Sequence, residues 1–291
     1  MKVAVHGNIL NQNTQPIIEG ILNLLEKSGH TYFLSSKLAD QALNHGIDLE
    51  NGNIYVPGSS FADYDFVISI GGDGTLLETI THVGISEKPI LGVNTGRLGF
   101  LATINREMVG EALASIDRGK YEIDMRSLLR IETDGDLFQG NNFCLNEITV
   151  LKQDTASMIT VHASINGEFL NSYWADGLII STPTGSTGYS LSCGGPVVMP
   201  HSNNLILTPV SPHNLNVRPL IVSDACVITL RVESRSNYFM VSLDSRSSIV
   251  PTGTRLEVKR ENFKAKLIIP DGYSFVKTLR TKLNWGLDAR N

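Results

Sequence analysis

At "GGDGT", residues 71 to 75, a single carboxylate stands among three glycines at the end of the apolar run "DFVISI". Glycines let backbone N–H groups approach phosphate oxygens with no Cβ in the way, and a helix start adds unpaired donors and a partial positive charge. Gly72, Gly74 and Thr75 could therefore cradle a polyphosphate. Asp73 could take a proton from an attacking hydroxyl or hold a divalent metal. The plainer reading is a tight turn in which Asp73 or Thr75 caps a helix. The segment is neither a Walker A sequence, since no Gly-Lys-Ser/Thr follows, nor the six-residue dinucleotide fingerprint.

Two further segments carry polar groups in unusual settings. In "CLNEITVLK", Asn146 and Glu147 interrupt a strand-like run, and adjacent residues of a strand point to opposite faces, so at least one needs a buried partner or a ligand. An amide and a carboxylate together can read an adenine edge and a ribose hydroxyl, although a bulge or strand end would leave both simply solvated. In "ADGLIISTPTGSTGYSLSCGGP", residues 175 to 196, glycines alternate with hydroxyl residues after an apolar strand. Such a segment suits a phosphate-bearing, polyhydroxylated ligand, with the Tyr189 ring free to stack on a base, or else it is a flexible surface loop. His6, His30, His45, His82, His162 and His201 show no spacing with cysteine or acid that forms a metal site, and no serine lies in a nucleophile elbow. No resident metal site and no hydrolase chemistry are expected.

The elements that must position these residues fall into two patterns. Up to about residue 125 the chain alternates strand-like runs ("KVAVHG", "TYFLSS", "DFVISI", "KPILGV") with helical ones ("QPIIEGILNLLEKSG", "LLETITHVG", "REMVGEALASIDRG"). That rhythm predicts a doubly wound, Rossmann-like α/β domain, with "GGDGT" at the carboxyl end of a parallel strand, where ligands bind in such sheets. From 126 to about 270 short extended runs and turns such as "DGD" and "NGE" predict a mostly-β, sandwich-like domain. In "YSFVKTLRTKL", Phe275, Leu279 and Leu283 recur every fourth residue, which predicts a C-terminal helix, in residues 271 to 291, returning to the first domain.

Composition closes several other routes. With 42% hydrophobic and 18% charged residues the chain is an ordinary globular one, and its 291 residues suffice for two cores without staples. A net charge of −5 with no basic cluster argues against a nucleic-acid partner. No apolar window reaches membrane-spanning length and the first residues do not form a signal peptide, so no membrane association is expected. Three scattered cysteines, Cys144, Cys193 and Cys226, fit a reducing cytoplasm.

"GGDGT" is similar to a signature shared by NAD kinases, diacylglycerol- and sphingosine-type lipid kinases and, more loosely, 6-phosphofructokinases. The next loop separates them. "NTGRLGFLA" resembles the NAD kinase pattern Asn-x-Gly-x-x-Gly-Phe-Leu through Asn94, Gly96, Gly99 and Phe100, with Arg97 a candidate for phosphate or for a surface ion pair. The family carries an Asn-Glu pair where Asn146 and Glu147 stand, and its Thr-Pro-Thr-Gly-Ser-Thr-Ala-Tyr-Ser block is matched except at Gly188, where alanine is usual. "SPHNLNVRP" also matches, with His213 and Arg218 read as structural, while Arg246 replaces a glutamine and could meet a phosphate instead. The resemblance implies ATP-dependent phosphorylation of the adenosine-ribose 2′-hydroxyl of NAD, with Mg2+ carried by the nucleotide; polyphosphate replaces ATP in some members. It implies Asp73 as general base or metal ligand. The implied dinucleotide contacts are Asn146, Glu147, Asp176, Thr184, Thr187, Gly188, Tyr189, Ser190, Leu191, Ser192 and Arg246, and the implied assembly is a homodimer or tetramer. A lipid kinase would share the Asp73 loop but not need the block around Thr187, and a non-catalytic dinucleotide-binding regulator would be free to lose Asp73.

Overall fold

The computed structural model describes residues 1–8, 14–47, 53–56, 58–96, 99–153, 157–269 and 273–285. Arg97 lies outside the described residues. The chain forms two compact units, Met1–Met125 with Ala265–Asn291, and Arg126–Lys264.

The first unit begins with β1 (Lys2–Gly7), α1 (Gln15–Lys27), β2 (Thr31–Ser35), α2 (Ser36–Asn44) and β3 (Asn53–Tyr55). It continues with β4 (Phe66–Gly71), α3 (Asp73–Val83), β5 (Ile90–Asn94), β6 (Ile104–Asn105) and α4 (Val109–Asp117). All neighbouring strands run parallel in the order β3-β2-β1-β4-β5. Every residue of β4 and β5 is buried, as expected of parallel strands covered on both faces. In α1 the buried Ile18, Ile21, Leu22 and Leu25 follow one helical stripe, a proline sits in the first turn, and Gly29 at φ 71° ends the run. The core joins that stripe to Val3, Val5, Ile68, Leu91 and Ile104. β1 lies between β2 and β4, so successive crossovers leave it in opposite directions, and a crevice opens beyond the carboxyl ends of β1 and β4. "GGDGT" follows β4 at that crevice. The helix α2, which the periodicity analysis passes over, is capped by Ser35, whose Oγ accepts the Leu38 N–H.

The second unit holds β7 (Glu122–Glu132, entered from the first unit), β8 (Phe143–Cys144), β9 (Glu147–Lys152), β10 (Ile159–Ile165), β11 (Glu168–Ala175) and β12 (Gly177–Ser181). A short helix α5 (Tyr189–Ser192) precedes β13 (Asn204–Val210), β14 (Leu220–Ser223), β15 (Ile228–Glu233), β16 (Tyr238–Leu243) and β17 (Arg246–Pro251). One antiparallel sheet runs β14-β13-β12-β9-β16-β17, and β11-β10-β15 form the other layer with the start of β18 (Leu256–Ile269). Alternate residues of β10 are buried, because one face meets the core and the other does not. Phe239, Val150 and Ile180 of one layer meet Val161, Leu230 and Val258 of the other.

Near its end β18 pairs in parallel with β5, Leu267 opposite Ile90, so the return to the first unit falls at Ala265, inside a strand, and not near residue 271. A strand carries no break in composition where it leaves one core for another, which hides the boundary. The helix α6 (Phe275–Leu283) then buries Leu279 in the first unit and sets the Phe275 ring 6.4 Å from that of Phe100.

Candidate active site

In the first unit the site is built where β4 stops. Helix α3 begins at Asp73, earlier than the apolar pattern indicates, and Gly72 is its N-cap without a side-chain cap bond. Asp73 is therefore the first helical residue and not the cap, and its carboxylate serves another purpose. Oδ2 accepts the Phe100 N–H at 2.9 Å, while Oδ1 accepts those of Leu101 and Ala102 at 3.1 and 3.0 Å. One acid thus holds the loop after β5, and Oδ2 keeps a lone pair for a further partner. Gly99 allows this approach, since a Cβ there would fall 1.9 Å from Asp73 Oδ1.

The glycines of the loop differ in their reasons. A Cβ on Gly71 would strike Thr75 Oγ1 at 2.3 Å, so packing demands that glycine, whereas Gly72 and Gly74 face open space. Those two leave their amides approachable by a ligand, as a phosphate cradle requires. Thr75 is buried and its Oγ1 accepts from Asn8 Nδ2 at 3.3 Å, which joins the ends of β1 and β4. Asn94 Oδ1 accepts the Gly96 N–H at 2.7 Å and shapes the next loop.

In the second unit an acid distant in sequence plays a similar part. Asp244, at φ 51°, accepts the N–H groups of Leu145, Asn146 and Glu147 at 2.9, 2.9 and 3.2 Å. This fixes the Asn146–Glu147 corner at the start of β9. Thr182 ties the same corner to the glycine-hydroxyl block, with Oγ1 donating to Leu145 O at 2.6 Å and accepting the Gly185 N–H at 3.1 Å. Gly185 has no room for a Cβ, which would lie 2.1 Å from Asn146 O. The block is two short helical turns, Thr184–Thr187 and Tyr189–Ser192, and not a flexible surface loop. Ser186 and Ser190 point inward, onto Val198 and Thr208, while Thr187, Gly188, Tyr189, Leu191 and Ser192 retain exposure.

Glu147 is the electrostatic centre of this corner. Burial, and then the Asp244 carboxylate, push its carboxyl up to about 7, against a hydrogen bond from the Tyr189 backbone. Its Oε2 has no hydrogen-bond partner among the described residues although it is buried. A Cβ on Gly188 would lie 2.9 Å from that oxygen, so the glycine here keeps space beside the carboxylate. A buried acceptor without a donor is a place for a ligand hydroxyl.

The remaining residues are spread more widely. Thr184 Oγ1 accepts from Arg126 Nη1 at 3.1 Å. Asp176 pairs with Lys152 Nζ at 2.6 Å and precedes β12 at the end opposite Ser181, which stands beside Glu147. The length of that strand, roughly 17 Å, separates Asp176 from the Glu147 corner within one chain. The Arg246 guanidinium donates to Asn141 O at 2.6 Å and to Phe143 O, and stands 5.9 Å from the centre of the Phe138 ring. Arg218 donates to Leu215 O and Val217 O within its own turn, and the His213 ring lies tilted against that of Trp174 with centroids 4.2 Å apart. Sequence reasoning missed Asp244 and Thr182, although Asp244 stands two residues before Arg246. It also missed that His6, Glu78 and His82 come together, against the expectation of no histidine-acid metal set. No spacing reveals a residue of β1 beside one of α3.

The ATP-NAD kinase N-terminal domain model matches residues 27–121, and the ATP-NAD kinase C-terminal domain model matches residues 145–269. The chain belongs to the ATP-NAD kinase family. It is 47% identical to the NAD kinase of Cytophaga hutchinsonii and 46% identical to that of Flavobacterium psychrophilum, in each case over all of both chains. The fold of yeast NADH kinase, solved with NADH, matches with a TM-score of 0.86 over 99% of this chain and 89% of that one, at 21% identity. An NAD kinase from Archaeoglobus fulgidus, solved with ATP, matches at 25% identity with a TM-score of 0.72 over 98% of this chain and 99% of that one.

Proposed function

We propose that this protein is an NAD kinase, transferring the γ-phosphoryl group of ATP to the 2′-hydroxyl of the adenosine ribose of NAD to give NADP and ADP. Full-length identity to named NAD kinases supports the reaction. The observation that carries the mechanism is the Asp73 carboxylate at the mouth of the β1–β4 crevice, with one lone pair of Oδ2 unused. Phosphoryl transfer asks a protein mainly to align the nucleophile and neutralise phosphate charge. Asp73 takes the proton of the attacking hydroxyl at Oδ2 as the new O–P bond forms and the bond from the γ-phosphorus to the β,γ-bridging oxygen breaks to release ADP, while the backbone at Gly72 and Gly74 receives phosphate oxygens. Coordination of the metal that arrives with ATP, as part of the substrate, is the other role a carboxylate can take there.

The second unit recognises the dinucleotide. Asn146 and Glu147 face its polar edges, Glu147 Oε2 accepts a ribose hydroxyl beside Gly188, and Thr187, Tyr189, Leu191 and Ser192 line its path. Thr184 and Ser190 support these residues from within, and Arg246 acts by fixing the Asn141–Phe143 backbone. Asp176 lies too far along β12 to join Glu147 on one small group of the same ligand. We place the reaction in the cytoplasm, in a homodimer or tetramer, on the resemblance to NAD kinases and on the three free cysteines. No helix among the described residues is long and apolar enough to cross a membrane.

Purified protein incubated with NAD, ATP and Mg2+ should form NADP, followed with an NADP-specific dehydrogenase. No NADP, with phosphorylation of a lipid instead, would overturn this reading. Replacing ATP with polyphosphate in the same assay settles the donor.

A further inference from the structure

Away from the phosphate loop, the first unit gathers a second set of chemistry-bearing side chains. His6 near the end of β1, and Glu78 and His82 on α3, each bring one ligand atom within 4.8 Å of the other two. The four-residue spacing of Glu78 and His82 sets both on one face of the helix. The rings of His6 and His82 meet edge to face with centroids 4.6 Å apart.

His6 is wholly buried, and its Nε2 has no aligned hydrogen-bond partner among the described residues. Glu78 Oε2 lies 3.3 Å from that nitrogen, but without the alignment of a hydrogen bond. The other ring nitrogen, Nδ1, is 2.9 Å from Ser35 Oγ, and Nδ1 of His82 is 3.3 Å from the Tyr55 hydroxyl. Burial lowers the His6 pKa although Glu78 opposes it, and burial followed by the neighbouring His6 brings His82 to about 4. Burial works to raise Glu78, but the Lys37 hydrogen bond and His6 outweigh it, and the carboxyl is held below its ordinary range. His6 turns its buried Nε2 toward a half-exposed carboxylate whose Oε2 also accepts from Lys37 Nζ. A buried ring nitrogen without an aligned partner is unfavourable unless a ligand such as a cation meets it.

We infer that His6, Glu78 and His82 form a site for one divalent transition-metal ion of the zinc class, each histidine giving a ring nitrogen and Glu78 a carboxylate oxygen. The donor set is two imidazoles and one carboxylate, with a fourth position left to water. Mg2+ prefers oxygen donors, so this ion is distinct from the one that travels with ATP. Ser35, and Tyr55 beside His82, hold ring orientations, as outer partners of ligating histidines do. Lys37 is the opposing element, with Nζ 2.9 Å from both Glu78 oxygens and a side chain that is 47% exposed. It must release one oxygen when the ion enters. Bound there, the ion joins β1 to α3, the helix whose first residue is Asp73.

The test uses the tag-free full-length protein after chelator treatment, titrated with Zn2+ by calorimetry and with Co2+ by its visible absorption, and melted with and without Zn2+. One ion per chain, a visible Co2+ band and a raised Tm are expected. His82→Gln should weaken binding about tenfold or more. Its Tm in chelator should stay near that of the unaltered protein, because His82 is only partly buried. Lys37→Met should bind Zn2+ as tightly or more tightly, whereas a merely structural Lys37–Glu78 ion pair predicts no gain. Should His6→Gln fail to fold, His82→Gln and Lys37→Met still decide. No saturable binding of either ion, or binding unchanged in His82→Gln, would overturn the site.

Discussion

Asp73 clamps the loop after β5, proton transfer is the second role proposed for its carboxylate, and a substitution that keeps its shape separates the two roles. In Asp73→Asn the amide presents hydrogens where Phe100, or Leu101 and Ala102, present their own. Turnover should fall about 100-fold or more with NAD binding kept. Stability should fall by about 1 kcal/mol through the unmatched donor, read from denaturant midpoints. Unchanged turnover would remove Asp73 from the chemistry. At Glu147 the sign of the pH effect is fixed by the raised carboxyl. The folded chain holds that proton up to about 7 and the unfolded chain only to about 4.5, so its stabilising contribution is full below about 4.5. It is lost as pH rises through 7. Glu147→Gln should therefore flatten the fall in Tm between pH 5 and 7.5, and an unchanged slope would contradict the buried, raised carboxyl.

Among the elements, the junction of β4 with α3 and the loop after β5 act as one unit, because a single acid receives three amides. Gly99→Ala tests this at a residue with no chemistry of its own. The added Cβ would sit 1.9 Å from Asp73 Oδ1, so either the loop or the carboxylate must move. The expected result is a loss of about 1–3 kcal/mol, the cost of overpacking, together with a fall in kcat close to that of Asp73→Asn. A variant with full activity would show that Asp73 need not hold this loop to work. The elements that enter this junction were legible in the sequence, since β4 and β5 are continuous apolar runs and α3 follows glycines. The clamp was not, because Asp73 and Ala102 belong to separate segments that only the parallel pairing of β4 with β5 brings together. The same holds for Asp244, which reaches Asn146 across the pairing of β16 with β9.

At the scale of the whole molecule, the first unit is discontinuous in sequence and depends on the end of the chain. Ending the chain after Lys264 removes Leu267 and Ile268, which pair with β5, and the buried Leu279. The first unit should unfold while amides of β9, β12 and β16 in the second, with its own core around Phe239, stay protected from hydrogen exchange. Simultaneous loss of protection in both would show that the second core does not stand alone. By itself the sequence determined the class of each half, through a helix-strand alternation and then a run of short strands, because burial periodicity is written in nearby residues. It also determined the family, through ordered motifs from "GGDGT" to "TPTGSTGYSLS". Only the tertiary structure decided that Asp73 is a clamp and not a cap. It alone placed Asp176 far from Glu147 along β12, fixed the return at Ala265, and brought His6 to Glu78 and His82. Those outcomes depend on strand pairing and packing between distant segments, and no local spacing encodes them.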